Sequence, residues 1–407
     1  MSNKPDKSSF LRAESELVLD LARQGKEKKV AGLGSPIKLK GQALDMFVRG
    51  NSLWVAENTG FVLVIDLITN ETVSTYRCHQ APLTTLAFVD RVPGSGDEKI
   101  MITGSWDKTI KVWDTETKEL LSTTQAHSDF VKALLVLPKC NLLVSAGSDK
   151  VLRLWDLSNV TEKDPLVSVG SISAHSRPVE MLDGITLSGD SAVLYSADTM
   201  GVMNVWLLER DAVAQPADGL PPRWRTTLRE NLTHHRTRIN QLVLHDGYIW
   251  TASADETVKI HPYSSGGQGD EKKRPIKPIQ HPTGVKALLP LYIPSLDETY
   301  LFTASGDIIR SWDTSDLDDK VEQRNEIDGH WHDVTLLKAW FASPDPYILS
   351  ASLDGTIRRW KVKDLLTPKP PGERSDLEGN TPAHRRAPGE LTEEEERELD
   401  ELLNEDD

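Results

Sequence analysis

The stretch Ile102-Thr-Gly-Ser-Trp-Asp-Lys-Thr-Ile-Lys-Val-Trp-Asp114 decides how this chain folds, because its pattern returns along the sequence. It recurs as Val144-Ser-Ala-Gly-Ser-Asp-Lys-Val-Leu-Arg-Leu-Trp-Asp156, Thr251-Ala-Ser-Ala-Asp-Glu-Thr-Val-Lys-Ile-His261, Thr303-Ala-Ser-Gly-Asp-Ile-Ile-Arg-Ser-Trp-Asp313 and Ser350-Ala-Ser-Leu-Asp-Gly-Thr-Ile-Arg-Arg-Trp360. A degenerate copy is Ser196-Ala-Asp-Thr-Met-Gly-Val-Met-Asn-Val-Trp206. A histidine stands upstream of each copy: His79, His127, His175, His235, His281 and His330.

The histidines step by 48, 48, 60, 46 and 49 residues. That is slightly above the roughly 40–45 of a propeller blade, and loops absorb the excess. These histidines, small-residue turns and Trp-Asp endings resemble the WD40-repeat family, from about Pro36 to Leu366. The resemblance implies an all-β, seven-bladed β-propeller. Blades 2 to 7 start at the six histidines, and blade 1 spans Ala43 to Tyr76 with Ile65-Asp66 in place of Trp-Asp. Within blade 2 the expected strands are a (Leu83 to Phe88), b (Ile100 to Ser105), c (Thr109 to Asp114) and d (Leu120 to Thr124).

The last repeat has no fourth strand of its own before Thr367-Pro-Lys-Pro-Pro371. An open strand edge invites aggregation. In Pro36-Ile-Lys-Leu-Lys40, Ile37 and Leu39 alternate with lysines as a half-buried strand would. Residues 36–40 are therefore expected to complete the last blade and lock the ring.

Composition narrows the class. With 23 Pro, 26 Gly and 11 Trp among 407 residues, the chain suits turn-rich strands carrying a recurrent aromatic. Cys78 and Cys140 are too few for a disulfide framework, which favours a reducing, intracellular compartment, cytoplasmic or nuclear. No run approaches the roughly 18 apolar residues of a membrane span, so membrane insertion is not expected. The formal charge is −15, of which −10 falls in Glu390–Asp407. Nucleic acid is disfavoured as a partner by this acidic balance.

Three regions follow: 1–35, an N-terminal extension; 36–366, the propeller; and 367–407, a disordered linker and acidic tail. Apolar positions in Ser9–Arg23 have loosely helical spacing, readable as a short helix on the propeller or as one that binds a partner; Lys26 to Lys29 read as linker. In the tail, Thr392-Glu-Glu-Glu395 matches a capping box. The tail is either solvated or a helix that docks a basic partner.

His, Ser or Thr, and Asp together suggest nucleophilic catalysis, but an enzyme needs one such set in a cleft and here the set recurs. The resemblance implies a structural network instead, with Trp on strand c, the hydroxyl on strand b, His ahead of strand a and Asp in the b–c turn. A buried Asp needs donors. Imidazole supplies one and accepts the hydroxyl proton on its other nitrogen, while the hydroxyl accepts the indole N–H. The sets are His79, Thr103, Asp107 and Trp113; His127, Ser145, Asp149 and Trp155; His281, Thr303, Asp307 and Trp312, with a turn one residue shorter; and His330, Ser350, Asp354 and Trp360. Blade 5 has His261 at the tryptophan position, and blade 4 has Met200 where Asp is expected.

His234-His235 and His330-Trp-His332 lack the partners of a zinc pattern, and no Gly-rich loop precedes a helix. Neither metal nor cofactor is expected. Insertions at 93–97, 210–222, 264–273 and 294–298 should decorate one face; the opposite face, around the channel mouth, keeps short loops. There Trp106, Phe130, Lys132, Arg177, Arg238, Trp331 and Asp333 should point outward as candidate partner-binding residues. Aromatics beside a Lys have the composition of an interface anchor.

The leading functional expectation is a non-catalytic scaffold for proteins or peptides, acting as a subunit or adaptor of a complex. The alternatives are substrate or ubiquitin recognition in a turnover pathway, and an RNA- or chromatin-associated factor.

Overall fold

The computed structural model describes residues 14–173, 175–211, 221–263, 276–294, 296–317, 321–342 and 346–367. The acidic tail, the basic run 272–274 and most of the 210–222 and 264–273 insertions lie outside the described residues.

The described strands form seven four-stranded antiparallel sheets. Blade 2 runs Leu83–Val89, Ile100–Ser105, Thr109–Asp114 and Leu120–Gln125 as strands a to d. The other blades repeat this meander. Strand b of each blade, buried on both faces, is near-continuously apolar or small, as in Ile100-Met-Ile-Thr-Gly-Ser105.

The a strands of consecutive blades pack side by side: Ala43–Arg49, Leu83–Val89, Val131–Leu137, Val179–Thr186, Ile239–His245, Val285–Ile293 and Val334–Phe341. The last of them meets the first, so the ring is closed. Each has an inner edge with no further strand to pair, and side chains of the preceding blade cap part of it. The Asp45 carboxylate accepts Leu86 N–H at 2.9 Å, Asp183 accepts Leu244 N–H at 2.8 Å and Gln241 Oε1 accepts Leu288 N–H at 2.8 Å.

Ring closure is as expected. Ile37–Lys38 pairs antiparallel with Thr356–Lys361, with Ile37 opposite Ile357, as the outer strand of blade 7. Leu39 N–H donates to Gly355 O at 2.9 Å.

The N-terminal region departs from expectation. Helix α1 spans Glu14–Val30, so Lys26 to Lys29 are helical, not linker. The reason is an anchor 328 residues away in sequence. The Arg358 guanidinium, on a side chain only 2 % exposed, donates from Nη1 to Val30 O and Leu33 O, both at 2.6 Å. Those carbonyls sit at the helix C-terminus, where backbone acceptors lack intrahelical partners and a cation is favoured. Gly34, at φ +65°, turns the chain against the Trp360 ring, which would stand 2.9 Å from any Cβ placed there. After blade 7, helix α2 (Val362–Leu366) buries Val362 and Leu365 against blade 6.

Candidate functional site

The recurring side-chain sets are built where strand b, the b–c turn and the loop ahead of strand a converge. In blade 3, His127 Nδ1 is 2.9 Å from Asp149, its Nε2 is 2.8 Å from Ser145 Oγ, and the Trp155 indole donates to that Oγ at 2.9 Å. Blade 7 repeats it: His330 is 2.8 Å from Asp354 and 2.7 Å from Ser350, and the Trp360 indole donates to Ser350 at 2.8 Å. Burial pushes the His127 and His330 imidazoles below their ordinary value, against the pull of their carboxylates. Both rings are thereby favoured neutral, as the relay of hydrogen bonds requires.

Two expected sets are incomplete. In blade 2, His79 is 2.8 Å from both Asp107 and Thr103, but the Trp113 indole N–H has no partner among the described residues. The Thr103 hydroxyl is turned to Lys111 O at 3.3 Å across its own strand pair. Burial raises the Asp107 carboxyl, but the His79 and Thr109 hydrogen bonds outweigh it and hold the group near 2. In blade 6, His281 and Trp312 both reach Thr303, at 2.9 and 2.8 Å, whereas Asp307 does not pair with His281. The shorter turn sends Asp307 outward to Lys26 of α1 at 2.5 Å, and Lys26 also pairs with Asp328. His281 Nδ1 is buried and has no hydrogen-bond partner among the described residues.

The two degenerate blades solve the same problem with substitute residues. In blade 4 the acid is Asp198, two positions after the hydroxyl: His175 is 3.3 Å from it and 2.7 Å from Ser196, which accepts the Trp206 indole at 2.9 Å. Alignment on the four-residue offset of the other blades points to Met200 and hides this. In blade 5, His235 lies 3.1 Å from Asp255 and 2.8 Å from Thr251, and His234 Nε2 reaches the same hydroxyl at 3.0 Å, where other blades bring an indole.

One further member went unread. Two residues before the tryptophan position, strand c carries Lys111, Arg153, Lys259, Arg310 or Arg358. Lys111 and Arg153 donate to the carbonyls just ahead of the blade histidines, Cys78 O at 2.8 Å and Ala126 O at 2.6 Å; Lys259 reaches His234 O at 2.5 Å. Arg358 instead serves α1. The recurrence of a cation at a fixed offset was the available signal.

The channel-mouth face gathers most of the other candidates. Trp106 of the blade 2 turn and Phe130 ahead of blade 3 are 40 % and 36 % exposed, and their rings stack with centroids 5.0 Å apart and planes 16° off parallel. Lys132 and Arg238 both turn to Glu180 of blade 4, at 3.6 and 3.0 Å, so a carboxylate absent from the sequence reading ties blades 3, 4 and 5. Arg177 is exposed. Trp331 and Asp333 are half-buried on blade 7, with the Trp331 ring 6.1 Å from His332. They do not join the aromatic pair, since blade 1 intervenes.

The a strands enclose a channel cavity of about 580 Å³, lined by Asp45, Lys132, Glu180, Asp183, Lys286 and Lys338 among others. Burial pushes the Asp183 carboxyl up to about 6 and also raises Asp45; Lys338 acts on both in the opposite sense. No described helix is long and apolar enough to cross a membrane.

Comparison with known proteins agrees with this architecture. The sequence model described as "WD domain, G-beta repeat" matches residues 70–114, 118–156 and 321–361. These intervals end with strand c of blades 2, 3 and 7, the blades that keep the hydroxyl, Asp and Trp together at the regular offsets of four and ten residues. An uncharacterized WD repeat-containing protein of Schizosaccharomyces pombe is 28% identical over 99% of both chains. A ribosome biogenesis protein WDR12 homolog of Chlamydomonas reinhardtii is 22% identical over 67% of this chain and 63% of its own. A nuclear distribution protein, nudF 2, of Aspergillus clavatus is 44% identical over 19% of this chain and 17% of its own. With seven blades, a ring closed by an N-terminal strand and these matched repeats, the chain is a seven-bladed β-propeller that contains WD40 repeats.

Proposed function

We propose that this chain is a non-catalytic interaction scaffold that receives a peptide segment of another protein across the channel-mouth face of blades 2 to 5. The observation that carries the reading is the exposed Trp106–Phe130 stack. Two aromatics held rigid against each other on the surface have already lost their freedom, so a partner can cover them at low entropic cost. The Lys132–Glu180–Arg238 group beside them offers polar contacts for orientation. The absence of catalysis is supported by burial. The hydroxyls Thr103, Ser145, Ser196, Thr251, Thr303 and Ser350 are all 0 % exposed, out of a substrate's reach.

Affinity purification from the native cell tests this. The Trp106→Ala/Phe130→Ala double variant should keep its melting temperature and lose co-purifying proteins by about tenfold or more. The same partners at the same yield would overturn the reading. A second reading, membership of a nuclear ribonucleoprotein assembly, draws on the similarity to a ribosome biogenesis protein. Partners that leave the wild-type chain on nuclease treatment would favour it. Substrate recognition in ubiquitin-dependent turnover would use the same face, and ubiquitinated proteins among those lost by the double variant would distinguish it.

A further inference from the structure

Each blade's strand-c tryptophan fills the seam with the preceding blade. Trp113 packs with Trp54, Val62 and Val64 of blade 1, and Trp155 with Ile100, Ile102 and Val112 of blade 2. Trp206, Trp312 and Trp360 do the same for the seams behind blades 4, 6 and 7. Two seams lack this indole. Between blades 7 and 1 the position is Ile65, and Trp340 packed with Tyr347 at 5.2 Å occupies the seam instead.

Between blades 4 and 5 the position is His261, and the seam contains a groove of about 490 Å³, within the ~300–1,000 Å³ of ligand clefts. Its walls are Val193, Tyr195, Val205 and Leu207 of blade 4 and Ile249 and Tyr263 of blade 5. Glu209 and Glu230 stand on its rim, exposed and without an ion-pair partner among the described residues; Arg229 is the cation in its lining. The two tyrosine rings lie 6.5 Å apart at 58°, with Tyr195 buried at the base of the groove and Tyr263 half-buried beside it.

We propose that this groove binds an aromatic side chain presented by a short basic peptide, which supplies in trans the ring that the other seams hold in cis. The walls are apolar and aromatic, as an indole requires, and the two rim carboxylates against one guanidinium select a cation beside it. This site is on a different part of the ring from the Trp106–Phe130 stack and does not depend on it.

The probe is the tripeptide Lys-Trp-Lys, titrated into the full chain and followed by NMR of the Val193, Val205 and Ile249 methyls. Saturable shifts are expected, with Lys-Ala-Lys and Glu-Trp-Glu at least several-fold weaker. His261→Trp should fill the groove and weaken Lys-Trp-Lys about tenfold or more. Glu230→Lys, an exposed change that leaves the core untouched, should weaken it several-fold, and Trp106→Ala should leave it unchanged. Equal shifts from Lys-Ala-Lys, or undiminished binding by both groove variants, would overturn the proposal. So would binding that appears only after deletion of residues 264–275, which follow Tyr263 in the chain, because the groove would then belong to the chain's own loop.

Discussion

In blade 3 the indole of Trp155 closes the seam behind it and donates to Ser145, completing a relay from Trp through Ser and His127 to Asp149. In blade 5 the corresponding position is His261; the ring that reaches Thr251 in place of an indole is that of His234, and the seam stays open as a groove. The difference separates two jobs that one tryptophan does elsewhere. A hydrogen bond to the strand-b hydroxyl can be replaced by a neighbouring imidazole of about the same reach. The volume of an indole is not replaced in this seam, whereas Trp340 supplies it between blades 7 and 1.

The comparison predicts its largest effect at the seam. Trp155→Ala should cost about 3–5 kcal/mol in urea denaturation, since it removes both a large buried side chain and a donor. His261→Ala should cost less than about 1 kcal/mol, as the seam it borders is already open. Equal losses at the two sites would break the distinction.

Next in size is the relay itself. Asp149→Ala should destabilise by about 1–3 kcal/mol, because the buried His127 Nδ1–H loses its acceptor. Asp307→Ala in blade 6, where the acid faces Lys26 and not the histidine, should cost about 0–1 kcal/mol.

Acidification comes third. Burial, above all, holds His235 and His281 down to about 4 when folded, below the ordinary value of 6.5. Stability carried by the neutral rings is therefore complete above about pH 6.5 and is lost as pH falls toward 4. Asp183 has the opposite sign: its folded value near 6 is raised, so its contribution is present at low pH and lost as pH rises through 6. The histidines outnumber it, and chemical denaturation at pH 5.5 should show about 1–2 kcal/mol less stability than at pH 7.5. His235→Gln should flatten the profile.

The smallest effect is shared by both blades. Lys150 and Glu256 follow the turn aspartates at φ 69° and 70°, a left-handed conformation that costs side chains with a Cβ. Replacing either with Gly should raise stability by about 0.5 kcal/mol after the backbone entropy of glycine is subtracted. A gain in one blade only would show that the turns differ as well.

Repetition made most of the fold legible. Thr103, Ser145 and Ser350 each stand four residues ahead of an Asp and ten ahead of a Trp, and the missing outer strand of the last blade pointed to residues 36–40. Where the offset slipped, reading along the chain failed. Asp198 is two residues from its hydroxyl and still reaches His175, and Asp307 keeps its place in the string yet points away from His281. Glu180 gave no motif at all: it matters because Lys132 and Arg238 of the flanking blades converge on it.

Period and composition within the chain determined that there are seven blades, where each begins and which short segment closes them, because every blade repeats the same local alternation of buried and exposed residues. Tertiary structure alone decided which carboxylate meets which imidazole, that Arg358 holds a helix 328 residues away, and that one seam is left unfilled. Those outcomes depend on distances between side chains of different blades, and such distances are set by how the closed ring packs.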